Sequence, residues 1–334
     1  MSFRTLLLAT VLALTATTAS AQTYKVPRTA HGDPDLQGIW TNASITTLER
    51  APGLNKLVLT PQEAKAAEAM TKAWLAENDK PTSPEAGAPP VADDPGGYNS
   101  FWIDLGSKYG VVNGEIRTSW VVDPPNGQVP YSAEGRRAMM AEGFRQFQVF
   151  DGPETRSLGE RCIVGYGSTG GPPMLNVLYN NNYQIVQSPG FVTIVVEMNH
   201  DARVIRLGGK HPPKTIRPWM GDSIGWWEGD TLVVETTNLH PGQAFTADIR
   251  HRIYLAPESK VIERFKRVSD KEIVYAFSVE EPRAYTQVWR GEIPMRATEG
   301  PMYEYACHEG NYSLPGILAG AREEEKKKKG GGAQ

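Results

Sequence analysis

Beyond Glu154 the chain is a near-unbroken succession of short β-branched and aromatic segments: Tyr183–Gln187, Phe191–Met198, Arg203–Leu207, Ile224–Trp227, Thr231–Thr237, Lys260–Val268, Glu272–Val279, Thr286–Ile293 and Met302–Cys307. Turn residues separate them about every 8–12 residues, the spacing of an all-β domain. No helical pattern intervenes, which predicts an antiparallel sheet. A run of hairpins this long must close on itself or pair as two sheets, because open edges invite aggregation. The expectation is a mainly β fold, an antiparallel meander closing into a barrel over residues 151–318. Two hairpins have a readable register. A tight turn at Glu228-Gly229-Asp230 sets Ser223 across from Glu235, and a turn at Asn199-His200-Asp201 sets Glu197 across from Arg203 as a cross-strand ion pair.

The segment before the barrel has too few elements to build a core of its own, so residues 22–150 are expected to wrap the barrel. Leu36-Gln37-Gly38-Ile39-Trp40 opens a strand. Thr60-Pro61-Gln62-Glu63 has the form of a helix start, with Thr as cap, Pro in the first turn and Glu closing the capping box. The helix runs to about residue 77. Residues 79–100 are rich in Pro, Gly, Ala and Asp and read as a linker. Ile116–Val122 reads as a strand, Asp123-Pro124-Pro125-Asn126-Gly127 as a turn, and Ser132–Met140 as a short capped helix. The tail from 319 to 334, with Glu323–Glu325, Lys326–Lys329 and three glycines, reads as disordered.

The first residues place the protein in a compartment. Arg4 gives a positive start, Leu6–Ala16 is nearly all apolar, and Ala19-Ser20-Ala21 is a small-x-small cleavage site, so residues 1–21 read as a secretory signal peptide and the protein as periplasmic or secreted. The apolar run is shorter than the roughly 20 residues of a transmembrane helix, and no later stretch approaches that length. The formal net charge of −3 comes with no basic stripe, which argues against a nucleic-acid partner. There are two cysteines, Cys162 and Cys307. In an oxidising compartment an even pair is most simply a disulfide, closing a loop worth on the order of 4–5 kcal/mol in the chain-entropy model. The alternative is a reactive or metal-binding thiol beside His308.

Two resemblances follow from longer motifs. Gly38-Ile39-Trp40 resembles the Gly-x-Trp that opens the first strand of lipocalins, where the Trp plugs one end of the barrel; it implies a lipocalin- or calycin-like closure. Pro34-Asp35-Leu36-Gln37-Gly38-Ile39-Trp40, Glu160-Arg161-Cys162, Asn180-Asn181-Asn182-Tyr183-Gln184-Ile185, Trp219-Met220-Gly221-Asp222-Ser223, the stretch from Trp227 to Asn238 and that from Tyr303 to Tyr312 together resemble a group of exported bacterial proteins. That resemblance spans nearly the whole mature chain. It implies a shared architecture and supplies no catalytic residues.

Chemistry must therefore be read from side chains. No Gly-x-Gly-x-x-Gly follows a strand, and there is no Walker loop, Cys-x-x-Cys-His, His-Glu-x-x-His or Gly-x-Ser-x-Gly. The glycine-rich run Gly165–Gly171 is followed by Pro172 and Pro173 rather than a helix, so it reads as a loop. No cofactor is expected from these absences. The six histidines are His31, His200, His211, His240, His251 and His308. Polar groups concentrate at Glu197, Asn199, His200, Asp201 and Arg203, and at His308, Glu309 and Asn311. Brought together at a barrel end, they could form an acid/base centre, since a carboxylate sets the tautomer of a neighbouring imidazole. They could equally hold a divalent metal through two histidines and a carboxylate, or simply form turns and ion pairs. In the catalytic reading His200 or His308 is the base, Glu197 or Glu309 orients it, and Arg203 or Tyr303 stabilises negative charge. Trp219, Trp226, Trp227 and Trp289, with Asp222 and Glu235, are the candidate walls of a pocket for a small-molecule ligand. Trp226 and Trp227 are neighbours on a strand, so only one can face the interior. Any carboxylate among Asp222, Glu235, Glu263 and Glu280 that points inward needs a cation, with Arg217, Arg264 and Arg290 as candidates. The expected function is an exported, cofactor-independent enzyme doing lyase, dehydratase or isomerase chemistry on a small cyclic or aromatic molecule in a barrel pocket. The alternative is a periplasmic carrier of a hydrophobic small molecule.

Overall fold

The computed structural model describes residues 24–78, 103–104, 106–248 and 250–330. The expected signal peptide and the expected linker lie outside the described residues. In chain order the elements begin with β1 (Gly38–Thr41), β2 (Val58–Leu59), α1 (Pro61–Asn78), β3 (Val111–Val112), β4 (Glu115–Arg117), β5 (Val121–Asp123) and α2 (Ala133–Gln148). Then come β6 (Asn182–Ser188), β7 (Phe191–Val196), β8 (Ala202–Leu207), β9 (Asp222–Glu228) and β10 (Thr231–Thr237). The chain ends with β11 (Phe245–Ala247), β12 (Arg252–Tyr254), β13 (Lys260–Ser269), β14 (Glu272–Glu280), β15 (Trp289–Ala297) and α3 (Ser313–Gly330).

Alternation along the strands decides which side faces in. Val192, Ile194 and Val196 on β7, Val261, Glu263 and Phe265 on β13, and Ile273, Tyr275, Phe277 and Val279 on β14 are buried, while the residues between them are more exposed. Nine strands pair in the order β1-β6-β7-β8-β9-β10-β13-β14-β15, and β15 returns to β1 with Trp40 opposite Ala297. The barrel is closed, as expected, and its inward positions are filled by large side chains. Gly291 illustrates the fit: a Cβ there would lie 2.3 Å from the ring of Phe277, its cross-strand partner, so only glycine admits that ring. Trp40 is buried, donates its indole N–H to the Leu36 carbonyl at 2.9 Å, and is covered by the Arg267 guanidinium.

Eight of the pairings in the ring are antiparallel; β8 and β9 run parallel. Parallel neighbours need a crossover of about a dozen residues or more. Here residues 208–221, with Gly208, Gly209, Pro212, Pro213 and Pro218, provide it without a helix, which is why strand spacing alone predicted an antiparallel pair. From the N-terminal segment, β1 is one of the barrel's staves, β5 pairs with β15, and Leu48 and Trp120 join the same core. α1 starts with the expected capping box, Thr60 N–H on Glu63 at 2.8 Å and Glu63 N–H on the Thr60 hydroxyl at 3.4 Å. Ser132 caps α2 through the Gly135 N–H.

Three expectations about elements are corrected, and one element is added. Met302–Cys307 is not a strand, because β1 already occupies the edge of β15 and leaves no free edge to join. Ile116–Val122 is split between β4 and β5. The β11–β12 hairpin was not anticipated. The tail is helical to residue 330, where Arg322 pairs with Glu325 and donates to the carbonyls of Phe150 and Asp151 beyond α2. The cysteines form the Cys162–Cys307 disulfide, with Cα atoms 5.6 Å apart. No helix among the described residues is long and apolar enough to cross a membrane.

Candidate functional site

The two expected polar clusters do meet, at the disulfide end of the barrel. Glu197 is buried, and its carboxylate accepts from the Asn182 side chain at 2.8 Å and from the Tyr303 backbone N–H at 3.0 Å. Asn199 and Asn311 both donate towards Cys162. What forms is a clamp. His200, Tyr303, His308 and Glu309 are exposed, and none of them lines a cleft described among these residues. Buried among them is Asp201, which accepts from the Gly165 N–H at 2.8 Å; burial pushes its carboxyl up to about 6 against that hydrogen bond.

The expected Glu197–Arg203 ion pair is absent. The turn after β7 is a short 3-10 turn with Asn199 and His200 at positive φ, and it sets Ile194, not Glu197, across from Arg203. Arg203 instead points inward and pairs with Glu263 in a fork, at 2.9 and 2.5 Å, with both side chains fully buried. Tyr275 donates to the same carboxylate at 2.7 Å, and the Thr236 hydroxyl lies 3.4 Å from Arg203 and 2.8 Å from Ser223. Burial alone would lower the Arg203 guanidinium, but Glu263 reverses this and holds it above its ordinary value. The cations expected to serve an inward carboxylate lie on the outside: Arg217 on Glu258, Arg264 on Glu228 and Arg290 on Asp123.

The tryptophans do not wall a pocket. Trp289 is sealed in the core against Phe277 and Tyr285. Trp227 packs on the core, Trp226 faces outward and donates to Glu228, and Trp219 lies against His240 with ring centres 3.7 Å apart and the rings tilted by 37°. The expected division of Trp226 and Trp227 between faces therefore holds, but the barrel interior is occupied. The clefts described among these residues open between loops and strand ends.

One of them runs along the crossover. The β9–β10 turn contains two residues, Gly229 and Asp230, so Thr231 pairs with Glu228 and Ile224, rather than Ser223, lies opposite Glu235. That one-residue shift puts Ser223 inside and Glu235 outside. Arg206, Asp222 and Glu235 thus share the outer wall, and the crossover lays His211 over them. His211 Nδ1 is 2.6 Å from Asp222 and Nε2 is 3.2 Å from Glu235. Arg206 grips Asp222 with two bonds, at 2.7 and 2.9 Å. Burial would raise the Asp222 carboxyl, but the hydrogen bonds from Arg206 and His211 outweigh it and hold it below the usual carboxylate range. A neutral imidazole has one N–H, so acceptors at both nitrogens need an extra proton on the ring or on one carboxyl. Beside the imidazole lies a groove of about 690 Å³, walled by His211, Pro212, Pro213, Pro257 and Pro282 and rimmed by Lys214 and Lys260.

Asp222 and Glu235 were candidate site residues from sequence; His211 figured only as one of six histidines, and Arg206 not at all. The available signal was the gap between the third and fourth strand candidates, too long for a hairpin, which forces a crossover and lays its histidine on the wall. Among the described residues no group of three or more His, Cys, Asp or Glu is arranged to hold a metal ion. The metal-binding alternative raised for His200 and His308 thus has no such group among the described residues. Comparison with protein-family models, curated proteins and solved structures finds no match to this chain.

Proposed function

We propose that the protein is an exported enzyme that carries out cofactor-independent proton transfer, of lyase, dehydratase or isomerase type, on a small cyclic or aromatic molecule bound in the groove beside His211. The observation that carries this reading is the imidazole held between two carboxylates at the groove's edge. A substrate that displaces Glu235 from Nε2 leaves that nitrogen free to take or give a proton. Asp222, fixed by Arg206, still orients the ring through Nδ1, which is the role a carboxylate plays beside a catalytic histidine. The proline rings offer apolar walls for a ring-shaped substrate. Lys260 and Lys214 at the rim are paired with Glu280 and Glu258 of the same groove, so either can balance developing negative charge only where substrate displaces its glutamate. Export is supported by the disulfide, which belongs to an oxidising compartment. A hydrophobic carrier has less support, because its pocket would be the barrel interior.

The test is hydrogen exchange in heavy water. The purified protein is incubated with a panel of cyclic and aromatic hydroxy acids and ketones, and loss of C–H signal is followed by proton NMR. His211→Gln should lower exchange by about 10²-fold or more, the usual contribution of a general acid or base, and Asp222→Asn by a smaller factor. His200→Ala and His308→Ala should leave it unchanged. Exchange that survives His211→Gln and is lost in His308→Ala would return the chemistry to the C-terminal cluster.

A further inference from the structure

A cleft of about 220 Å³ lies between the C-terminal turn of α2, the loop over residues 157–167 and β11. Its walls are apolar and aromatic: Phe147, Leu158, Val164, Tyr166 and Phe245. Phe147 and Phe245 meet edge to face, with ring centres 6.3 Å apart. The loop is held in place. The Gly165 N–H donates to Asp201 at 2.8 Å, and the disulfide ties Cys162 to Cys307. Gly159 lets the loop close over Tyr166, since a Cβ there would lie 2.5 Å from the ring. The start of the glycine-rich run thus becomes part of a fixed wall, and a wall fixed before binding loses little freedom when a ligand arrives.

Two observations define what this cleft can take. The first is charge. Among the lining residues Glu160 alone is charged, and its carboxylate is already engaged: Oε1 accepts from Arg156 at 2.8 Å, and Oε2 from the Ser157 N–H at 2.9 Å and hydroxyl at 2.8 Å. A charged ligand would lose hydration here and find no free counter-charge, which is costly, so the ligand is neutral. The second is Gln146. It is 3 % exposed and forms part of the wall. Its Nε2 donates to the Phe245 carbonyl at 3.3 Å, which orients the amide. Its Oε1 receives no hydrogen bond among the described residues, yet it is not one of the sealed unpartnered atoms of the interior. With so little of the residue exposed, whatever meets this oxygen meets it through the cleft. An acceptor so placed calls for one N–H or O–H donor on the ligand. The volume is below the roughly 300 Å³ at which pockets for drug-sized molecules begin, so the ligand is a single ring or a fused pair.

We infer that this cleft binds a small neutral aromatic molecule carrying one hydrogen-bond donor on its ring, of the phenol or indole class. The ring packs among Phe147, Tyr166 and Phe245, and its O–H or N–H donates to Gln146 Oε1. None of these residues lines the groove at His211, so the two sites stand or fall separately.

Isothermal titration of the full chain with phenol, indole, anisole, N-methylindole and benzoate tests this. Phenol or indole should bind with a dissociation constant on the order of 1 mM or tighter. Anisole and N-methylindole keep the ring but lose the donor, and should bind about tenfold more weakly. Benzoate, which is charged, should give no heat. Phe147 is 44 % exposed, so its removal leaves the core intact; Phe147→Ala should weaken phenol and indole about fivefold. Gln146→Leu should abolish the preference for each donor over its methylated counterpart. His211→Gln should bind as the unchanged chain does. The inference is overturned if neither phenol nor indole gives heat at concentrations on the order of 10 mM, or if the methylated probes or benzoate bind as tightly as the donors. It is equally overturned if Phe147→Ala and Gln146→Leu both bind as the unchanged chain does, or if His211→Gln alone loses binding, which puts the ring in the other groove.

Discussion

Two charged networks lie on opposite sides of one strip of barrel wall. On β10, Thr236 turns inward to Arg203 and Glu263, and Glu235, the next residue, turns outward to His211 and Asp222. The inner network is sealed, with both charged side chains essentially unexposed. The outer one is part-buried, with His211 and Glu235 at 18% and 29% side-chain exposure. The difference teaches where chemistry can live. A charge pair that nothing can reach serves to fix the packing and register of the staves. The same residue types placed where a molecule can displace one partner can exchange a proton with it.

The largest expected effect breaks the inner network. Glu263→Ala leaves Arg203 charged, buried and unpaired, and should cost about 3–5 kcal/mol in urea denaturation. Replacing both partners at once, as Arg203→Met with Glu263→Leu, should cost much less, because the desolvation of both charges disappears with them. If the double variant is as unstable as the single one, the pair is doing more than neutralising itself. Asp201 comes next, a buried carboxylate with backbone and amide donors and only the weaker electrostatic pull of the exposed His200. Its native value near 6 lies above the unfolded value near 4, so between those pH values the folded protein holds a proton that the unfolded chain has lost. Stability should therefore fall as pH rises from about 4 to about 6, by on the order of 2 kcal/mol, and then level off. Asp201→Asn should remove that slope in denaturation series run across the window.

Asp222 on the outer wall should behave with the opposite sign. Arg206 and His211 hold its carboxyl below the unfolded value, so its contribution is present above about pH 4 and lost as pH falls through the lowered native value. Asp222→Asn should cost about 1 kcal/mol at neutral pH, less than either inner change, and should flatten the acid limb of the stability curve. Its effect on exchange in heavy water should be out of proportion to that small cost, which is what separates a site from a strut.

The barrel could be read from the sequence because alternation is a local signal: Ile273, Tyr275, Phe277 and Val279 announce an inward face without reference to anything else in the chain. Register was less readable. It hangs on the number of residues in a turn, and counting three where Gly229 and Asp230 make two moved Glu235 to the wrong partner. Partners were least readable of all. Arg203 and Glu263 meet across 60 residues only because β8 and β13 face each other through the barrel's interior, and no local pattern encodes that distance. His211 was hidden for a related reason. Its segment has neither strand nor helix periodicity, and its importance comes from the parallel pair that its length makes possible.

The smallest expected effect sharpens the comparison most, because it involves the residue next to Glu263. Arg264 follows it on β13 and points the other way, to a pair with Glu228 in which both side chains are nearly half exposed. In water each ion keeps most of its hydration, so forming the pair gains little Coulomb energy and gives up side-chain freedom. Arg264→Ala should leave the urea midpoint unchanged within error, and any residual effect should vanish as salt is raised. Glu263→Ala, one position away, should be insensitive to salt, because ions cannot reach the barrel's interior to screen it. If the two variants respond to salt alike, the interior is open to water, and the closed, filled barrel is wrong at the strand where its consequences are largest.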